Sequence, residues 1–231
     1  MKNSNFSKKL TIALALFAVQ VFSQSSFTDN RDGKKYKAVK IGEQVWMAEN
    51  LNYNAEGSRC YDNSSFYCNE YGSRLYDWKT ALNACPSGWH LPSDGEWITL
   101  INFVGDTISY ADTAMADMVR FQYERAGISA NVEPKVVKFF DAGIKLKAVE
   151  LWERYSGKVG SDNFGFAALP CGFWHSSDKR FQSFKNNGFW WSSKEYDERG
   201  AFYVEMTSRS SDVHRNNGGK SNLFSVRCIK N

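Results

Sequence analysis

Apolar and polar side chains alternate most regularly near the start of the chain, where Tyr36-Lys37-Ala38-Val39-Lys40-Ile41 reads as a half-buried strand. Asp32-Gly33 ahead of it signals a turn, and Gly42 opens a second turn before Val45-Trp46-Met47. Residues 26–51 therefore predict a small antiparallel series of strands. Residues 52–77 carry Asn, Gly, Ser and Tyr without periodicity and predict a loop. Helical spacing begins at 77–85, with Asp77 placed to cap and Trp78, Ala81, Leu82 and Cys85 on one face. Pro86, Ser87 and Gly88 end that helix, and Trp89-His90-Leu91-Pro92 runs extended because a residue before proline is pushed out of the α region. Ser93 and Glu96 form an S-x-x-E capping box, predicting a helix from Asp94 that carries Trp97, Leu100, Ile101 and Val104 inward. Residues 106–155 are rich in helix formers punctuated by Gly127 and Pro134, predicting two or three helices. Beyond Gly157 the pattern changes to short aromatic and β-branched runs, "FGFAALPCGFW", "GFWWSS", "GAFYVEMTS" and "LFSVRCIK", each of strand length. Strands and helices are segregated, which is the α+β class.

Charge changes this picture at one end. Lys2, Lys8 and Lys9 precede the apolar run Leu10 to Phe22, the layout of a secretory signal peptide over residues 1–23, with cleavage expected after Ser23. The formal net charge of +4 then falls to 26 − 25 = +1, since the 29 basic residues lose three and the 25 acidic ones lose none. No basic run survives, so no nucleic-acid partner is expected, and no transmembrane segment is expected in the mature chain. Residues 24–231 read as a single domain exported to the periplasm, cell surface or medium.

Five cysteines fit that compartment: Cys60, Cys68, Cys85, Cys171 and Cys228. Cys60 and Cys68 flank "CYDNSSFYC" and can close it as a clip worth roughly 2 to 3 kcal/mol by loop-closure entropy. Of the rest, Cys85 and Cys228 are the expected pair, worth about 5 kcal/mol, with Cys171 left as a free thiol. The cysteines lack C-x-x-C spacing and the three histidines are scattered, so no metal site is expected. The chain has no G-x-S-x-G, no H-E-x-x-H and no Gly-rich phosphate loop, so no catalytic residue and no cofactor is assigned. Aromatic residues make up 16% of the chain, and some of them sit in polar loops where they can meet sugars. "GFWHSSDKRFQSFKNNG" and "KEYDERG" supply the candidate ligand-binding residues Trp174, His175, Phe181, Tyr196, Asp197 and Arg199.

Several motifs share a further property. "FTDNRDGKKYKAVKIGEQVWMAENLNY", "CPSGWHLPSDGEW", "AGIKLKA", "DNFGFAALPCG", "FWWSSKEY" and "FSVRC" together resemble the Fibrobacter succinogenes major paralogous domain, in the family's order. That resemblance implies a C-type lectin-like fold, shared with formylglycine-generating sulfatase modifiers. It implies first and last strands that meet, two flanking helices, a long loop region that often holds the ligand, and a Cys85 to Cys228 bridge. It also implies a core Trp191 and a paired Arg227. Two features depart from the family pattern: an insertion of about thirty residues near 106–140, and Cys171 where alanine is common. Calcium-mediated sugar binding is not implied, because the lectin triplets are replaced by "EPK" at 133–135 and "WWSS" at 190–193. The function expected is a secreted, non-catalytic binding module for a polysaccharide or cell-surface protein. The alternatives are a sulfatase-modifier type enzyme and a structural envelope protein.

Overall fold

The computed structural model describes residues 24–108, 138–155 and 159–231. The expected signal peptide, and residues 109–137 of the expected insertion, lie outside them. Strands β1 (Gln24–Thr28), β2 (Lys35–Ile41) and β3 (Gln44–Met47) form an antiparallel meander through the two turns marked by Gly33 and Gly42. Tyr36, Ala38, Val39 and Ile41 of β2 and Trp46 and Met47 of β3 are its buried members.

The segment expected as a loop holds more order than its sequence suggests. Short strands β4 (Arg59–Cys60) and β5 (Arg74–Leu75) pair at its neck. Between them stand a single 3-10 turn, Tyr61–Asn63, and helix α1, Ser65–Tyr71. No 3.6-residue stripe announces α1 because only Cys68 among its side chains is buried. Helix α2 (Trp78–Ala81) is one turn long, with the Asp77 carboxylate accepting from the Thr80 amide at 2.8 Å. Strand β6 (Trp89–His90) leads to helix α3 (Asp94–Val104), whose capping box forms as expected. Ser93 Oγ accepts from the Glu96 amide at 3.2 Å and the Ser93 amide donates to Glu96 Oε2 at 2.7 Å. Trp97, Leu100 and Val104 are buried and Ile101 packs beside them.

Within the described residues, the 106–155 region departs from the helices expected there; the stretch expected as helix between 109 and 137 lies outside them. Strand β7 (Asp106–Ile108) pairs antiparallel with β8 (Lys138–Phe140), so the insertion leaves and re-enters the domain through a two-stranded ribbon. Helix α4 covers only Ala142–Leu146. It ends because Lys147 turns inward, where its Nζ donates to the carbonyls of Thr207 at 3.0 Å and Ser210 at 2.9 Å. "KAVELWERY" is therefore irregular chain, pinned by Trp152, whose Nε1 donates to the Ala168 carbonyl at 2.9 Å.

The C-terminal half is strand-rich: β9 (Cys171–His175), β10 (Arg180–Phe184), β11 (Asn187–Glu195), β12 (Gly200–Thr207), β13 (Val213–Gly219) and β14 (Ile229–Lys230). Two five-stranded sheets result, ordered β1-β2-β3-β14-β6 and β10-β9-β11-β12-β13. With few and short helices, the class is mixed and mostly β. The last strand enters the first sheet between β3 and β6, and the Cys85–Cys228 disulfide ties the end of the α2 region to the residue before it. The Cys60–Cys68 clip is also formed, and Cys171 is free and buried.

Arg227 is fully buried, and desolvation pushes it down to about 10, so it stays charged at neutral pH. Backbone and amide oxygens solvate it. Asn50 Oδ1 accepts from Nη2 at 2.8 Å and Nε at 3.1 Å, and the carbonyls of Met47, Phe166 and Ala167 accept from the remaining fork. The same Asn50 oxygen accepts from the Trp190 indole at 2.9 Å. Replacing Arg227 with alanine leaves a buried carboxamide and three carbonyls short of donors. A loss of about 3 to 5 kcal/mol is expected in denaturant unfolding, with little recovery by Arg227→Lys, whose point-like ammonium cannot span those acceptors. A loss under about 1 kcal/mol would contradict this.

For Glu96, burial pushes the carboxyl up, but the hydrogen bonds from the Ser93 amide, the Ser93 hydroxyl and His90 outweigh it and hold it below the ordinary 4.5. A depressed folded pKa contributes stability above the unfolded value and loses it as pH falls through the folded one. Ser93→Ala is expected to cost about 1 kcal/mol at pH 7, and the gap from the parent should shrink as urea midpoints are followed below pH 4.5.

Candidate functional site

The site is built on the β9–β10 hairpin. Trp174 and Phe181 are direct cross-strand partners, so both rings stand on one face. His175, one residue on, belongs to the opposite face, where its ring meets Phe173 edge-on at 5.9 Å. Its Nδ1 lies 3.3 Å from both the amide and the carboxylate of Asp178, which makes it part of the hairpin turn. Trp174 is fixed by two backbone bonds with Leu223, at 3.0 and 3.1 Å.

Opposite the hairpin stands the disulfide-clipped segment. It supplies Arg59, Tyr61, Asp62 and Asn63 to a groove of about 670 Å³, completed by Trp174, Lys179, Arg180 and Phe181. Three half-buried rings form its floor and exposed polar side chains its rim. Tyr61 joins the walls: its ring lies 5.1 Å from Phe181 and 5.0 Å from Phe184. Burial pushes its phenol up, so it stays a neutral hydroxyl. Phe184 also contacts Tyr67 at 4.9 Å and Tyr71 at 5.5 Å, and Phe66, 55% exposed, packs edge-on to both tyrosines. An aromatic ridge thus runs from the groove over α1.

Gly172 permits this contact. Its φ is +62°, and a Cβ there would lie 2.8 Å from Tyr61 Cε2 and 2.3 Å from the Gln182 carbonyl. Three groove residues that are not glycine, Asp62, Asn63 and Lys179, also hold positive φ of 56°, 52° and 52°.

Six of the eight tryptophans donate their indole N–H to the protein: Trp46 to Gln44, Trp78 to Ser192, Trp97 to Trp191, Trp152 to Ala168, Trp190 to Asn50 and Trp191 to Tyr76. Trp89 stacks on Phe27 at 4.3 Å. Among the described residues nothing accepts from Trp174, and its ring lies in the groove beneath the Arg59 guanidinium, 4.9 Å from the centroid.

The other sequence candidates lie elsewhere. Tyr196, Asp197 and Arg199 occupy the β11–β12 turn and are not among the groove's lining residues. Asp197 Oδ1 accepts from the amides of Arg199 at 2.8 Å and Gly200 at 2.7 Å, which shapes the turn. Tyr196 packs edge-on against Phe202. Arg59, Tyr61, Asp62, Asn63, Lys179 and Arg180 were missed by sequence reasoning. Their only signal is the cluster of aromatic, Asx and basic residues inside the clip and after Asp178, which periodicity does not register. A second depression of about 460 Å³ between Lys34–Lys37 and Tyr71–Gly72 has mixed lysine and carboxylate walls, with Tyr36 and Tyr71 as its aromatic residues.

Cys171 is deeply buried, and desolvation pushes its thiol up to about 11, the reverse of a reactive thiolate. Asn50 Nδ2 donates to its sulfur at 3.3 Å. Among the described residues no cluster of three His, Cys, Asp or Glu side chains could hold a metal ion, and no helix is long and apolar enough to cross a membrane.

Residues 39–230 match the Fibrobacter succinogenes major domain. Comparison with curated proteins and with solved structures returns no match.

Removing the clip in the Cys60→Ser, Cys68→Ser double variant is expected to leave the domain folded and to lower its stability by about 2 to 3 kcal/mol. Chymotrypsin should then cut near Phe66 and Tyr67 well before global unfolding. Cleavage unchanged from the parent would show that the groove wall holds without the disulfide.

Proposed function

The chain belongs to the Fibrobacter succinogenes major domain family, and on that premise we propose that it is an exported, non-catalytic module that binds a polysaccharide through the Trp174 groove. The carrying observation is Trp174. A half-buried indole whose N–H meets no acceptor among the described residues, in an open groove beside two further rings and polar rim groups, suits a sugar ring that packs against it and donates or accepts at its edges. The two disulfides support an oxidising compartment.

We further propose that the fold is of the C-type lectin-like kind. The disulfide joining the final strand to the α2 region supports that reading; the first and last strands share one sheet, although β14 pairs with β3 and β6 and not with β1 as the resemblance implied. A sulfatase-modifier type activity is disfavoured by the state of the two late cysteines, since Cys228 is bridged to Cys85 and Cys171 is an inert buried thiol.

The test is retention of the purified protein on a panel of insoluble and immobilised polysaccharides, followed by isothermal titration with the best binder. Trp174→Ala is expected to weaken binding by at least about ten-fold, the scale of one lost stacking contact, without shifting the melting temperature. Tyr196→Ala, remote from the groove, should bind as the parent does. Equal loss in both variants, or undiminished binding by Trp174→Ala, would sink the assignment to this groove.

A further inference from the structure

Trp174 and Arg59 line not one groove but two. A second one, of about 510 Å³, adds Gly57, Lys79, Lys220 and Leu223 to that pair. The two grooves share the stacked Trp174–Arg59 pair as a common ridge, so a chain of sugars lying across it would meet both.

Charge along this track is lopsided. Its walls carry the cations Arg59, Lys79, Lys179, Arg180 and Lys220 against the carboxylates Asp62 and Asp77, so 5 − 2 gives +3. The whole chain reaches only +4. Asp77 is engaged by the Thr80 amide and hydroxyl at the start of α2, at 2.8 and 3.1 Å. Arg180 is paired with Asp178 at 3.5 Å and Lys220 with Glu195, which leaves those two cations partly neutralised. Arg59, Lys79 and Lys179 differ: among the described residues no carboxylate comes within ion-pair distance of them. A neutral sugar asks only for the ring face. Three cations lacking protein counter-ions, set along both sides of that face, suit an anion carried by the ligand.

We propose that the track binds an acidic polysaccharide that straddles Trp174, with Arg59 reading a carboxylate or sulfate above the stacked ring, and Lys179 and Lys79 reading the residues on either side. This rests on the glycan-binding reading above and adds the ligand's charge to it. Arg59 carries the most discrimination, because its guanidinium already sits over the indole, 4.9 Å from the ring centroid, and a guanidinium fork matches a planar anion.

The test compares the purified protein's affinity for polygalacturonate and for its fully methyl-esterified form, and for dextran sulfate and unmodified dextran, with poly-glutamate as a non-sugar polyanion. At least one acidic member is expected to bind at least about ten-fold tighter than its neutral counterpart. Which pair shows the gap identifies carboxylate or sulfate. The gap should close on raising sodium chloride from about 50 to about 500 mM, where the screening length falls to about 4 Å. Arg59→Gln with Lys179→Gln should lower affinity for the acidic member at least about ten-fold more than for its neutral counterpart, in a protein that still folds. Equal affinity for charged and neutral members would overturn the acidic ligand and leave glycan binding standing. Poly-glutamate binding as tightly as the sugars would also overturn it, pointing to an acidic peptide instead. No binding to any polysaccharide by the folded protein would remove both readings.

Discussion

Arg227 sits where the two sheets and the irregular chain between them converge, and its need for acceptors organises the centre of the molecule. With no carboxylate within ion-pair distance among the described residues, the buried guanidinium must be solvated mainly by the protein's own dipoles, helped at longer range by Asp162 and Glu49. It draws the carbonyls of Met47, Phe166 and Ala167 and the carboxamide of Asn50 into one cluster, and Asn50 passes the constraint on to Trp190. Those partners come from the end of β3, from a stretch without regular structure, and from β11. Lys147 repeats the device at Thr207 and Ser210. In both places a buried cation replaces the hydrogen-bond ladder that a helix or strand would have supplied. A mostly β domain with so much irregular chain keeps one conformation because such segments are pinned by charge as well as by packing.

The aromatic core follows the same logic. Most of the tryptophans are bonded through their indole N–H, mostly to backbone carbonyls, so each ring is fixed by an edge as well as by its faces. Among the described residues Trp89 and Trp174 find no acceptor for the indole N–H, and of these two Trp89 stacks on Phe27 while Trp174 lines the groove. Trp174 is held by its backbone, through Leu223, while its side chain keeps its polar edge uncommitted. Rigidity of the main chain and freedom of the side chain are the combination a preorganised binding surface requires.

Local chemistry was legible in the sequence wherever one short stretch determines the outcome. The Ser93–Glu96 box, the Asp77 cap and the alternation of Tyr36 to Ile41 all reappear in the structure because each depends on neighbours within a few residues. Helix α1 was illegible, since its rings pack sideways against Phe184 and Tyr61 instead of along an apolar stripe. Strand β13 was illegible too: "VHRNNGG" is polar edge chain held by its pairing with β12. Helix propensity misled over Lys138–Phe140 and the residues after Leu146, where partners distant in sequence, β7 and the Thr207 and Ser210 carbonyls, take over. The candidate site was half legible for the same reason. Trp174 and Phe181 lie close together on one hairpin, but the facing wall comes from a disulfide-closed segment more than a hundred residues earlier.

Pairing of Asp106 with Phe140 brings the two ends of the inserted segment side by side. The ribbon they form belongs to neither five-stranded sheet. Both sheets and the Arg227 cluster are therefore completed by residues on either side of the insertion, and the β7–β8 ladder acts as a self-contained clasp that closes the domain's chain path without lending a strand to it.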